Sequence, residues 1–161
     1  MKQSRWSLFK DTMFVRIWSL FKVPLLFLMS PVVKELNNEK CVIAIPFRFL
    51  TKNHFKAMYM GVLVGGADIA SGLLATHLMK NKKKKCVLAF KDISAKFLKR
   101  AEGKTFFICC EGARIQEMVE KAMTTGERCH MTVKVEAFCP DKLGDEPVAQ
   151  FEMTLSVKEK K

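Results

Sequence analysis

The sequence predicts an α+β fold, an antiparallel β-sheet wrapped around one long central helix, with accessory helices at the N-terminus. Three observations predict it. The stretch "MYMGVLVGGADIASGLLATHLMK" (Met58 to Lys80) is apolar and far too long for a single strand. Two late runs, "RCHMTVKVEAFC" and "VAQFEMTLSVKEK", alternate apolar and polar residues with period two. Such alternation places one sheet face on a core and the other toward solvent, as antiparallel sheets do. Finally, 161 residues make one domain with an accessory segment, enough to bury a core.

The elements follow in order. Residues 1–36 read as accessory helices and 37–161 as the sheet-and-helix domain. Trp6, Phe9, Met13, Ile17, Leu20 and Phe21 recur at roughly helical spacing across residues 5–22. The apolar stretch "IWSLFKVPLLFLMSPVV" is interrupted by Lys22 and broken by Pro24 and Pro31, so it is too short to span a bilayer. It also lacks the small-residue site of a cleaved signal. Two readings fit: helices packed over the domain, or an interfacial anchor or lid over a lipid-like ligand. "KCVIAIPFRFL" is a strand, with Pro46 placing it at an edge or bulge. "TKNHFKA" is a loop leading into the long helix, which runs out into "KNKKKK". "CVLAFKDISAKFLKRA" reads as one long or bent strand, and "EGK" turns it into the strand "TFFICCEG". Ile115, Met118, Val119, Ala122 and Met123 share one face of a short helix that Gly126 is placed to end. The turn "PDKLGDEP" joins the last two strands.

Lys and Arg number 28 against 16 Asp and Glu, a net charge of +12. Such a surface favours anionic partners: phosphate-bearing small molecules, acidic lipid head groups or nucleic acid. Basic residues are not interleaved with aromatics on any strand or helix face, which argues against nucleic acid. Of the six cysteines, Cys109 and Cys110 are adjacent, no CxxC pair exists, and five lie in strand-like apolar runs. They read as reduced thiols of a cytoplasmic protein. His54, His77 and His130 have no ligand spacing with them, so no metal site is expected.

The long helix poses a question, because it carries Gly61, Gly65, Gly66 and Gly72 and one carboxylate, Asp68. Each interior glycine costs a helix about 1 kcal/mol relative to alanine, and an unpaired buried carboxylate costs more. Gly61, Gly65, Asp68, Gly72 and Ala75 follow helical steps and form one stripe, nearly bare of side chains except for Asp68. Close helix packing would explain it. So would a narrow ligand that lies along the helix and meets a carboxylate able to act as general base or nucleophile. Asn53 in the preceding loop and the free N–H groups near Tyr59 to Gly61 would suit a carbonyl oxygen gaining negative charge.

The order of elements, with "NHFKAMYMGVLVGGAD" opening the helix, resembles the hotdog-fold acyl-CoA thioesterases, especially the phenylacetyl-CoA thioesterase-like branch. "RFLTKNHFKAMYMGVLVGGADIASGLLA", "FKDISAKFLKRAEG" and "KLGDEPVAQFEMTLSV" are more similar still to an uncharacterised bacterial hotdog family grouped with the thioesterases. The resemblance covers roughly residues 20–158. Enzymes of that branch carry an asparagine, a His-Gly-Gly beginning six residues later, and an aspartate seven residues after the second glycine. Asn53, Gly61 and Asp68 match that spacing, whereas Tyr59 stands for the histidine and Met60 for the first glycine. The resemblance implies that Asp68 activates water or attacks the thioester, that the Gly61 N–H polarises the carbonyl, and that Asn53 orients substrate or water, with the Tyr59 hydroxyl as a donor. Met60, Gly65 and Gly72 would then contact substrate. The lysine run Lys82 to Lys85, with Lys82 and Lys83 as the candidates, reads either as a solvated loop after the helix or as a holder of an anionic group such as coenzyme A or lipid phosphates. The expected substrate is an acyl-CoA or acyl-carrier thioester, with no cofactor beyond the coenzyme A that the substrate brings. A homodimer or dimer of dimers, with the acyl site at the interface, is also implied. The alternative is a hotdog module that holds an acyl-CoA or lipid-like ligand without turnover, and the N-terminal segment adds the expectation of peripheral membrane contact.

Overall fold

In the computed structural model, which describes residues 4–80 and 85–160, the apolar segment forms one helix, α3 (Met60–Lys80). By length and composition it could cross a bilayer, but here it is a core helix enclosed by the sheet. Two helices precede it, α1 (Arg5–Lys22) and α2 (Pro24–Leu28), and α4 (Gly112–Thr125) and a short α5 (Pro140–Leu143) follow. The strands are β1 (Val32–Leu36), β2 (Cys41–Ile45), β3 (Cys86–Phe97), β4 (Thr105–Cys109), β5 (Cys129–Phe138) and β6 (Pro147–Glu159). They form one antiparallel sheet in the order β1-β2-β4-β5-β6-β3. This is the hotdog architecture, a sheet rolled around a central helix.

Strand β1 corrects the boundary drawn from sequence, since Val32–Leu36 belong to the sheet rather than to the accessory helices of residues 1–36. The chain turns from β1 into β2 where the Asn37 side chain accepts from the N–H groups of Glu39 and Lys40. Five residues with a bulge between Val33 and Glu35 are too few for strand periodicity to register.

The remaining strands behave as alternation predicts. Val133, Val135 and Ala137 of β5 point inward, and Phe151, Met153 and Leu155 of β6 pack beside them. Alternation lapses in β6 at Thr154 and Ser156, which are also buried. Thr154 donates to the Asp92 carboxylate and bonds Thr132, and Arg128 donates to Ser156, so each buried hydroxyl has a partner. Helix α4 buries Ile115, Met118, Val119 and Ala122 and ends at Gly126, whose left-handed φ of 70° is the conformation glycine supplies at a helix C-terminus.

Helix α1 is fastened to the body by the buried Val15 and by polar contacts. Thr12 accepts from the Val33 N–H, and Arg16 donates to the carbonyls of Ser30 and Pro31. Its buried residues are Thr12, Val15 and Ser19, so Trp6, Phe9, Met13, Ile17, Leu20 and Phe21, which set its period, lie on the outer side. Lys82 and Lys83 lie outside the described residues.

Candidate active site

The site begins with the packing of α3. Gly66 faces the sheet, where a Cβ would sit 2.4 Å from the Phe107 ring, so the absence of a side chain lets helix and β4 meet. The stripe of Gly61, Gly65, Asp68 and Gly72 looks the other way, toward the N-terminal segment and β3. Met29 and Leu26 close over Gly65, and Phe90 of β3 lies near Gly72, where an added Cβ would reach ordinary van der Waals contact with its ring. The stripe therefore admits the chain's own side chains along part of its length.

Two depressions remain, and both reach Asp68. One, of about 330 Å³, lies between α1 and α3 and is bounded by Phe14, Trp18, Leu26, Ile69, Gly72 and Phe90. The other, of about 490 Å³, runs past Gly61, Gly65, Met29 and Ile93. Each volume falls within the usual range for small-molecule sites, and both linings are mainly apolar. Asp68 is half-buried where they meet. Burial among apolar groups pushes its carboxyl from 3.8 up to about 6, and no described residue hydrogen-bonds or ion-pairs with that carboxyl. A carboxylate so placed can accept a proton near neutral pH and is free to meet an incoming group.

At the start of α3 the Gly61 N–H has no backbone acceptor among the described residues, and the Ala57 carbonyl four residues back accepts from the backbone N–H of Asn53. The Tyr59 ring lies over Gly61, where a Cβ would come within 2.6 Å of it, and the Tyr59 carbonyl accepts the N–H groups of Val62 and Leu63. Asn53 shapes its own loop: its side-chain oxygen accepts from the N–H groups of Phe55 and Ala57 at 3.0 and 3.1 Å. Tyr59 and Met60 are exposed and, with Asn53, border neither depression. Seven residues of helix rise put Asp68 about 10 Å from Gly61 along the axis.

The structure thus brings Gly61, Gly65 and Asp68 to one depression and Gly72 to its neighbour. It sets Asn53, Tyr59 and Met60 together at the helix start. Sequence reasoning missed Leu26, Met29, Trp18 and Phe90 as wall residues. The first two follow a helix-breaking proline, where no periodicity could mark them, and Phe90 sits in a run that reads only as strand.

A family profile described as a domain of unknown function, DUF4442, matches residues 12–157. No curated protein matches the sequence. Among solved structures, a Pseudomonas aeruginosa protein of unknown function, described as a probable thioesterase, superposes with a TM-score of 0.74 at 16% identity, over 92% of this chain and 96% of its own. A Chlorobaculum tepidum protein of unknown function has a TM-score of 0.81 at 10% identity, over 95% of this chain and 97% of its own. A thioesterase from Haemophilus influenzae has a TM-score of 0.63 at 13% identity, over 91% of this chain and 88% of its own. At such identities the likeness is one of fold. With the sheet rolled around α3 and the profile spanning both, the chain is a hotdog-fold protein that belongs to the DUF4442 family.

Proposed function

We propose that the protein hydrolyses an acyl-CoA or acyl-carrier thioester, with Asp68 as general base or nucleophile. The observation that carries this reading is the unpartnered Asp68 carboxyl at the junction of two apolar depressions, poised by burial near neutral pH. The acyl chain would lie in the apolar space along the glycine stripe, with its carbonyl beside Asp68. In the general-base form, Asp68 takes a proton from water while the water oxygen bonds to the thioester carbonyl carbon. The C–S bond then breaks and the thiolate leaves with that proton.

A donor must meet the developing oxyanion. The Gly61 N–H is available for this, but within one chain it lies about two helical turns from Asp68. We propose that a second copy, paired along the β3 edge, supplies its helix start, with Gly61, Tyr59 and Asn53, to the Asp68 of the first. Homodimerisation is therefore part of the proposal. The second reading, a binding module without turnover, draws its support from Tyr59 and Met60, neither of which borders the depressions.

The deciding experiment is a screen of acyl-CoA hydrolysis by the wild type beside Asp68→Asn, an isosteric change that keeps the fold. Hydrolysis is expected, falling about a hundredfold or more in the variant, the scale for losing a general base. Hydrolysis that persists at the wild-type rate removes Asp68 from the chemistry. Acyl-CoA binding without turnover, equal or tighter in the variant, selects the binding module. Tyr59→Phe then separates roles, since a lower rate at unchanged affinity assigns its hydroxyl to the transition state.

A further inference from the structure

We infer that the outer face of α1 docks on a lipid bilayer bearing anionic head groups. The helix is turned inside out relative to an ordinary surface helix: Thr12, Val15 and Ser19 face the body, while Trp6, Phe9, Ile17 and Phe21 face outward. Trp6 is 65% and Phe21 77% exposed, and Leu25 and Leu28 carry the apolar surface onto α2. Exposed apolar surface on this scale marks an interaction site. The Thr12 and Arg16 hydrogen bonds hold the helix in this rotation, so the outward aromatics are a fixed feature of the fold.

Charge selects the occupant. Arg5, Lys10 and Lys22 of α1 are exposed, and its one acidic residue, Asp11, is half-buried. Lys10 sits over the Trp6 ring at 5.5 Å and Lys80 over the Phe14 ring at 5.4 Å, so cations stand beside the aromatics. A second copy of the same face would bring like charges together, in a chain whose net charge is already +12. Anionic head groups meet those cations while the rings enter the boundary between head group and acyl chain. Tryptophan, with an apolar body and one N–H, suits that boundary. A basic helix with apolar residues on the same exposed side lies in the plane of such an interface.

The test uses the full chain with vesicles of phosphatidylcholine, with and without phosphatidylglycerol. The two tryptophans of the chain, Trp6 and Trp18, are both on α1, so selectively excited tryptophan emission reports on this helix alone. Flotation with the phosphatidylglycerol vesicles is expected, with blue-shifted emission, weakening as salt is added and at least about tenfold weaker on phosphatidylcholine alone. Ile17→Glu should reduce binding to phosphatidylglycerol vesicles about tenfold or more while keeping the far-UV spectrum, because the side chain is exposed. If that variant misfolds, Lys10→Glu provides the same comparison through charge. Failure of folded wild type to float with anionic vesicles overturns the inference, as does a folded Ile17→Glu that floats equally well. Self-association that Ile17→Glu abolishes, in a protein that binds no vesicles, would assign the face to a second copy and also overturn it. Acyl-CoA hydrolysis in the absence of vesicles plays no part in these outcomes, so they are independent of the proposal for Asp68.

Discussion

At the scale of the residue, Asp68 carries opposite demands of stability and chemistry. Its carboxyl is raised from 3.8 to about 6 in the folded protein, so the native state holds that proton more tightly than the unfolded chain does. The stabilisation from this proton is fully present below about pH 4 and is lost as pH rises through about 6. Two pKa units correspond to about 3 kcal/mol, and partial exposure of Asp68 brings the expected effect nearer to ~2 kcal/mol. Asp68→Asn should therefore stabilise the protein by about 2 kcal/mol at pH 8 and by almost nothing at pH 4, which denaturant unfolding at the two pH values measures. If Asp68 is the base, hydrolysis should rise with pH through about 6, where the carboxylate forms. The thiols give a simpler contrast. Cys41, Cys109 and Cys139 are buried, with Cys109 pushed up to about 12 by desolvation, while Cys110 beside it is exposed. Ellman's reagent should modify Cys110 first and reach those three only on unfolding.

At the scale of the element, glycines of one helix should respond to the same substitution with opposite signs. A methyl group at Gly72 would stand 3.4 Å from the Phe90 ring, an ordinary contact, so Gly72→Ala should gain up to about 1 kcal/mol of helix stability. A methyl group at Gly66 would stand 2.4 Å from Phe107, which is fully buried and has nowhere to retreat. Gly66→Ala should lose about 1–2 kcal/mol despite its better helix propensity. Thermal melts of the two variants should therefore move in opposite directions. Sequence shows that these glycines fall on different sides of α3, but not which side meets a ring too closely for a methyl group and which leaves room for one. That difference comes from β4 and β3, distant in the chain.

At the scale of the whole molecule, the sheet ends at β3, a 12-residue strand with exposed Val87, Phe90, Ile93 and Phe97. A long apolar edge with unpaired backbone groups is a template for pairing. Light scattering at micromolar concentration should give about twice the 18.4 kDa of one chain. Val87→Lys, which puts a charge on that edge, should shift the protein toward the monomer. A monomeric wild type would count against the dimer and against a site completed by the partner's helix start.

The antiparallel sheet, the central helix and the stripe that carries Asp68 are legible along the chain alone. Each is a periodic pattern within one segment, and periodicity survives without knowledge of the neighbours. It also singled out Gly61, Gly65 and Gly72, because glycine spacing on a helix is local information. Tertiary structure decided the rest. It moved Val32–Leu36 into the sheet by pairing them with β2, and placed Leu26, Met29 and Phe90 around Asp68. It also set the direction of α1: the recurrence of Trp6, Phe9, Ile17 and Phe21 marks a helix with an apolar side, but whether that side turns inward depends on the partners of Thr12 and Arg16. Those partners lie on a segment that follows the helix, and their hydrogen bonds hold the aromatic side outward.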